Sequence, residues 1–261
     1  MTTAALGTWR NPPLAYVVAE LIISPYYSIS ATIPRLQDAL RRAYPRTVEG
    51  QEIVIDGAGP PSPHPLWQLM SEDQGRAVQL GIRALSLHAT IYVDSRDFLA
   101  RWGEVLEAIA EAKLQPFVER AGLRYVDLVV PAAGRRPNDY LAPGLQGVVP
   151  PEANPGGAIW ASTFTFDGCQ VSARLGAPSP EGVLLPPNFS PVQLLKPAVM
   201  VDAEKRIDAK EQIGFVDTDC QAQVQRVFVA NDVLKLYPMM QQFASTTFRS
   251  LLSEAAIKEW M

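Results

Sequence analysis

The stretch Trp160–Leu175 reads WASTFTFDGCQVSARL and decides the class of fold. Asp167-Gly168 suits a two-residue type I′ turn, whose backbone twist matches that of two paired strands. Counting outward from that turn, Phe166 faces Cys169, Phe164 faces Val171, Ser162 faces Ala173 and Trp160 faces Leu175. The alternate positions pair Thr165 with Gln170, Thr163 with Ser172 and Ala161 with Arg174. The first set is largely apolar and the second polar, so turn chemistry and alternation predict the same register.

Downstream of the hairpin, residues 177–197 read as a long loop, because proline lacks a backbone N–H and resists helix interiors and central strands. A second strand pair is predicted near 198–207 and 213–221, with Asp208–Gln212 as its turn and a further strand near 224–229. Helix follows over 232–252, kinked or started late by Tyr237-Pro238, and Ser253 caps a short terminal segment carrying Ile257 and Trp260.

Upstream, residues 15–23 (AYVVAELII) are apolar on both alternating faces except at Glu20, as in a strand covered on both sides. Thr32-Ile33-Pro34 opens a helix with Ile33, Leu36, Leu40 and Ala43 at helical spacing. Strands are expected near 47–55, 66–72, 76–82 and 84–92. Ser95 then caps a helix whose stripe is Phe98, Trp102, Val105, Leu106 and Ile109. Residues 123–130 (LRYVDLVV) form one more strand. Of the 23 prolines, 12 lie between Pro131 and Pro197 and four between Pro60 and Pro65, so both stretches read as connections. The organisation is an N-terminal half at 12–131, a proline-rich connection at 132–157, and a C-terminal half at 158–261. Without strict alternation of strand and helix the class is α+β, with mixed or antiparallel sheets and helices packed on one face of two fused halves.

The balance of 23 Lys plus Arg against 27 Asp plus Glu, a net charge of −4, makes a nucleic-acid partner unlikely, since phosphate contacts demand a basic face. The arginines Arg35, Arg41, Arg42 and Arg46 around the first helix are the nearest approach to such a face, and Arg135-Arg136 is a second short basic pair. Two cysteines and two histidines exclude a disulfide framework and a cysteine- or histidine-built metal centre, and no cofactor is expected. The N-terminus lacks a secretory pattern, and the longest uncharged runs, Leu21–Pro34 and Gly182–Leu195, fall short of a membrane span. A cytoplasmic protein with no membrane partner is expected.

No motif dictates a reaction, and no catalytic residue is assigned. Glu20 is conspicuous, because its strand face otherwise carries Tyr16, Val18 and Ile22. A carboxylate there needs a cation or several donors. Arg124, on the strand expected beside it, or Arg83 could serve, and the expectation is a Glu20–Arg124 ion pair within contact distance, structural or ligand-binding. Asp217 and Asp219 share a strand face and could hold a divalent cation if a third oxygen joined them. His88 in a strand and His64 in a loop read as structural or surface residues, and Cys169 and Cys220 as small hydrophobes.

Several pieces resemble a sporadically distributed family of uncharacterised bacterial proteins. They are Asn11-Pro12-Pro13-Leu14, Val18-Ala19-Glu20-Leu21-Ile22, Tyr44-Pro45, Val78-Gln79-Leu80, Tyr92 ahead of the helix with Phe98, Gly122-Leu123-Arg124-Tyr125-Val126-Asp127, Phe215-Val216-Asp217-Thr218-Asp219, and the ending from Leu252-Ser253-Glu254 to Trp260. Asp127 stands where the pattern has Asn. The resemblance implies no activity, catalytic residue or cofactor; its patchy distribution suits accessory genes such as toxin–antitoxin, immunity or anti-phage functions.

Two expectations of function follow. The first is a non-catalytic binding protein acting through a protein partner or as a homo-oligomer, its contact surface being the loop residues Val183, Leu184, Leu185, Phe189, Val192, Leu194 and Leu195. The alternative is a metal-dependent hydrolase or nuclease using Glu20, Asp217 and Asp219, which requires those carboxylates to converge.

Overall fold

The computed structural model describes residues 9–54, 61–148, 150–153, 157–178, 182–208 and 211–261. The N-terminal residues 1–8, Pro60 and the middle of the turn expected at Asp208–Gln212 lie outside the described residues.

The elements run β1 (Leu14–Ile23), α1 (Ile33–Leu40), β2 (Arg46–Val54), β3 (Ser62–Met70), β4 (Arg76–Leu80), β5 (Ala84–Ala89), α2 (Ser95–Glu111), β6 (Phe117–Val129), β7 (Ala158–Phe166), β8 (Cys169–Ala177), β9 (Gly182–Val183), α3 (Val199–Asp208), β10 (Gln212–Val227), α4 (Ala230–Leu234), α5 (Tyr237–Ser250) and α6 (Glu254–Trp260). The chain is α+β. Its strands form one sheet in the order β2-β3-β4-β5-β1-β6-β10-β8-β7, antiparallel throughout, with β9 added parallel to the start of β10. Strands from 12–131 and from 158–261 therefore meet inside one sheet, along the β6–β10 ladder from Gly214↔Val129 to Val227↔Phe117.

The hairpin forms in the expected register, with Phe166↔Cys169, Phe164↔Val171, Ser162↔Ala173 and Trp160↔Leu175. The turn type differs from expectation: Gly168 takes the left-handed conformation at φ +69 but Asp167 does not have a positive φ, so the turn is not type I′, which needs both. Three further expectations fail. Residues 199–208 are helix α3 and not a strand, packed through Val199 and Ala203, which lie one turn apart. The Pro60–Pro65 stretch contains the start of β3; at 62–65 only β2 pairs with it, so Pro63 and Pro65 break no ladder on the other side. The cap of α2 is Asp94, whose side chain accepts from the Asp97 N–H at 2.7 Å, and not Ser95. Gly103, inside α2, faces α4: an added Cβ would lie 3.2 Å from a Leu234 methyl.

The two faces of the sheet differ. One presents Val17, Ala19, Leu21, Leu123, Val171 and Cys220 to α1, α2, α4 and α5, forming the main core, while α6 packs on Val129, Val216 and Leu175. The other face is polar across its centre, carrying Glu20, Arg124, Asp217 and Asp219 in neighbouring rows. Tyr16, Met70, Ala77 and Val126 form an apolar patch on that face, covered by Val192, Leu195 and Val199.

Candidate functional site

The charges on the open sheet face pair differently from expectation. β1 and β6 do lie side by side, with Val18 opposite Arg124 and Glu20 opposite Gly122. Arg124 turns the other way, to β10. Its Nε donates to Asp217 Oδ1 at 2.7 Å and its Nη2 to Asp217 Oδ2 at 2.9 Å, the planar fork meeting both carboxylate oxygens. Arg174 on β8 adds a third bond to Asp217 at 3.0 Å. Glu20 instead lies 3.8 Å from Arg120, both about a third exposed. It crosses β6 over Gly122, where a Cβ would sit 2.8 Å from Glu20 Cγ. The expected Glu20–Arg124 pair is thus replaced by two pairs, because Arg124 has an unexposed carboxylate at its side and Glu20 does not.

The metal reading fails on the same geometry. Among the described residues no group of three or more His, Cys, Asp or Glu is placed to hold an ion. Asp217 is taken up by two guanidinium groups, and Asp219 accepts from Gln221 Nε2 at 2.8 Å. Burial pushes the Asp219 carboxyl up, and burial together with the nearby Asp219 charge does the same to Glu20 against the pull of Arg120 and Arg124.

The apolar loop is also reassigned. Of its seven named residues only Leu194 is well exposed, while Val192 and Leu195 are buried in the patch beneath. Val192 N–H donates to the Tyr16 hydroxyl, Phe189 meets the Tyr16 ring edge-on at 5.3 Å, and the Asn188 carbonyl accepts from Arg124. Val183, Leu184, Leu185 and Phe189 are half-buried. These groups cover the protein's own sheet, whose apolar end would otherwise face water.

His88 is buried between the Tyr16 hydroxyl at 2.9 Å and Ser86 Oγ at 2.7 Å, and burial pulls its pKa down to about 4. His64 bonds Ser62 Oγ on β3. Cys169 and Cys220 are free and buried, and burial pushes both thiols up, the reverse of a nucleophile. Arg35, Arg41, Arg42 and Arg46 are exposed around α1. Arg135 pairs with Glu259.

The most distinctive site lies on the helix side. Tyr125, Asp127 and Thr218 point from β6 and β10 into a cavity of about 220 Å³ between the sheet and α5. Gln241, Ala244, Ser245, Phe248 and Arg249 roof it from one stripe of α5; Tyr92, Asp94 and Ser95 close one side and Trp9 another. Trp9 and Phe248 meet edge to face at 6.0 Å, and the Arg249 guanidinium lies 4.7 Å from the Trp9 ring centre. Asp127 is 5% exposed. It sits between Leu14 and Val216 in the ladder, and among the described residues no side-chain hydrogen bond or ion pair reaches its carboxyl. Burial, with the Asp217 charge behind it, pushes that carboxyl well above the usual carboxylate range. Burial therefore favours the neutral form of Asp127. The Thr218 hydroxyl beside it is buried and, among the described residues, without a partner, and burial pushes the Tyr92 phenol up to about 12.

The cavity therefore joins aromatic walls to a carboxyl that, among the described residues, no side-chain hydrogen bond reaches. Its volume is below the roughly 300 Å³ at which sites for drug-sized ligands begin, so it suits a small molecule. In two wider hollows, one at Arg42, Tyr44, Arg76 and Arg101 and one at Leu128, Arg206 and Glu259, Arg76, Arg101 and Arg206 are already paired with acids. Sequence reading missed Asp127 as a site residue, although one signal was present: Asp127 shares its strand face with Leu123 and Tyr125, a carboxyl on an apolar face just as Glu20 is.

The sequence matches no model of a known protein family, and no curated protein matches it either. No helix among the described residues is long and apolar enough to cross a membrane.

Proposed function

We propose that the protein works by binding a small organic molecule that carries a basic nitrogen, without transforming it, in the cavity above Asp127. The single observation that supports this is a buried carboxyl to which, among the described residues, no counter-charge or side-chain hydrogen bond reaches, facing a cavity walled by Trp9, Tyr92, Tyr125 and Phe248. An ammonium group would supply the missing counter-charge, and the ring faces would attract the same cation. The Arg249 guanidinium already lies over the Trp9 ring, so the ring faces open to such a cation are those of Tyr92, Tyr125 and Phe248. In the accessory-gene setting that the resemblance implies, such a protein would answer to a small molecule.

Isothermal titration with 2-phenylethylamine, phenylacetamide and phenylacetate tests this reading. The amine should bind the wild type, fail to bind Asp127→Asn, and bind more tightly at pH 8 than at pH 6, because ion pairing must first release the Asp127 proton. Preference for the amide or the acid would overturn the choice of a cation. Equal binding of the amine to Asp127→Asn, or no heat with any of the three, would overturn the site.

A further inference from the structure

Strand β7 is the last strand of the sheet, and among the described residues it pairs with β8 alone. An edge strand exposes a row of unpaired N–H and C=O groups, and proteins usually guard it with charge, proline, a bulge or brevity. The opposite edge, β2, carries Arg46, Glu49 and Glu52. β7, with the sequence AIWASTFTF, has none of these guards: nine residues, no charge, no proline, no glycine, and an unbroken register against β8.

The strand is also complementary to itself. A two-residue hairpin closes on a hydrogen-bonded pair, here Phe166 and Cys169, so the even-numbered residues of β7 bond to β8. The backbone groups of Ile159, Ala161, Thr163 and Thr165 then point away from the sheet. Placed antiparallel to a copy of itself about a two-fold axis through Ser162, the strand sets Ala161 opposite Thr163 and Ile159 opposite Thr165. Those pairs satisfy all the outward groups with about eight hydrogen bonds. Trp160 then falls opposite Phe164, twice, on the helix side where both rings are only half-buried. Ile159, 64% exposed, meets a β-branched threonine on the other side. No charge meets a like charge, since the strand carries none.

We propose that β7 is a self-association edge, and that two copies of the chain join through it into one continuous sheet with two-fold symmetry. This stands apart from the ligand site, which each chain builds alone.

Light scattering during size exclusion, together with amide hydrogen exchange, tests the proposal on the full chain. The wild type should run at twice the 28.6 kDa chain mass, with the amides of Ile159, Ala161, Thr163 and Thr165 protected. Thr163→Lys, which brings two ammonium groups close to the two-fold axis, should halve the mass and expose those amides. Ala161→Pro removes one outward N–H and no bond to β8, and should do the same. Circular dichroism should remain that of the wild type in both variants. A wild type that stays monomeric at 100 µM, a dimer that survives both substitutions in folded protein, or a dimer whose four amides exchange freely would overturn it.

Discussion

Replacing Asp217 by Asn removes the centre of the charge network on the open sheet face, and its cost can be worked from the geometry. The carboxylate is completely unexposed and accepts three bonds, two from Arg124 and one from Arg174. Removing one partner of a buried pair costs about 3–5 kcal/mol, because the other charge is left unpaired in a poorly solvated place. Arg174 is 29% exposed and can turn to water, whereas Arg124 is 17% exposed and is held under Phe189 and Asn188. The stranded charge is then mainly Arg124, which puts the loss near the lower end, about 3 kcal/mol. At about 2 °C per kcal/mol for a chain of this length, the melting temperature should fall by roughly 6 °C. Glu20→Gln is the control. Its pair with Arg120 is longer and a third exposed, so the change should stay within about 1 kcal/mol. Urea unfolding of the two variants and the wild type at pH 7 gives both numbers. A loss below 1 kcal/mol for Asp217→Asn, or a larger loss for Glu20→Gln than for Asp217→Asn, would refute the assignment of partners.

Three further outcomes are expected. Asp127→Asn should melt above the wild type at pH 8, with the difference shrinking towards pH 4. The folded state holds a proton on Asp127 that the unfolded chain gives up, so wild-type stability falls as pH rises above the unfolded value of about 3.9. A melting series from pH 4 to 8 checks it. His88 works in the opposite direction: with its folded pKa lowered to about 4, it contributes stability that is complete above the unfolded value of about 6.5 and is lost as pH falls towards 4. Its share of the acid loss, on the order of 2 kcal/mol at pH 5, should disappear in His88→Gln. Gly122→Ala should cost about 1–3 kcal/mol by forcing the Glu20 side chain aside. Most of that cost should vanish when the same change is made in a Glu20→Ala background, as a double-mutant cycle in urea would reveal.

The features legible in the sequence were those fixed by a few neighbouring residues. Asp167-Gly168 and the alternation around it gave the β7–β8 register, Phe98 to Ile109 gave α2, and Ser253 gave the cap of α6, where its Oγ accepts from Ala256 N–H. Tyr237-Pro238 signalled a kink or a late start, and the helical segment is divided just before it, into α4 ending at Leu234 and α5 beginning at Tyr237. Residues 199–208 were misread because Val199, Val201 and Ala203 satisfy a strand period as well as a helical one, and packing of Val199 and Ala203 against neighbouring elements decides between them. Pairing across the sheet was not legible. Glu20 and Arg124 do share a face, but whether Arg124 meets Glu20 or Asp217 depends on the β6–β10 ladder, which joins residues about 90 positions apart. The cavity was hidden for the same reason, since its walls come from residues 9–14, 92–95, 125–127, 218 and 241–249.

The protonation of Asp127, with and without an amine in the cavity, tests the central claim most directly. Carbon-detected NMR of protein labelled at the aspartate carboxyls, with the Asp127 signal assigned by its loss in Asp127→Asn, reads that state at pH 7. The account predicts a protonated carboxyl in the free protein and an ionised one once 2-phenylethylamine saturates it. A carboxyl already ionised in the free protein, or one whose shift does not move at saturation, would contradict it.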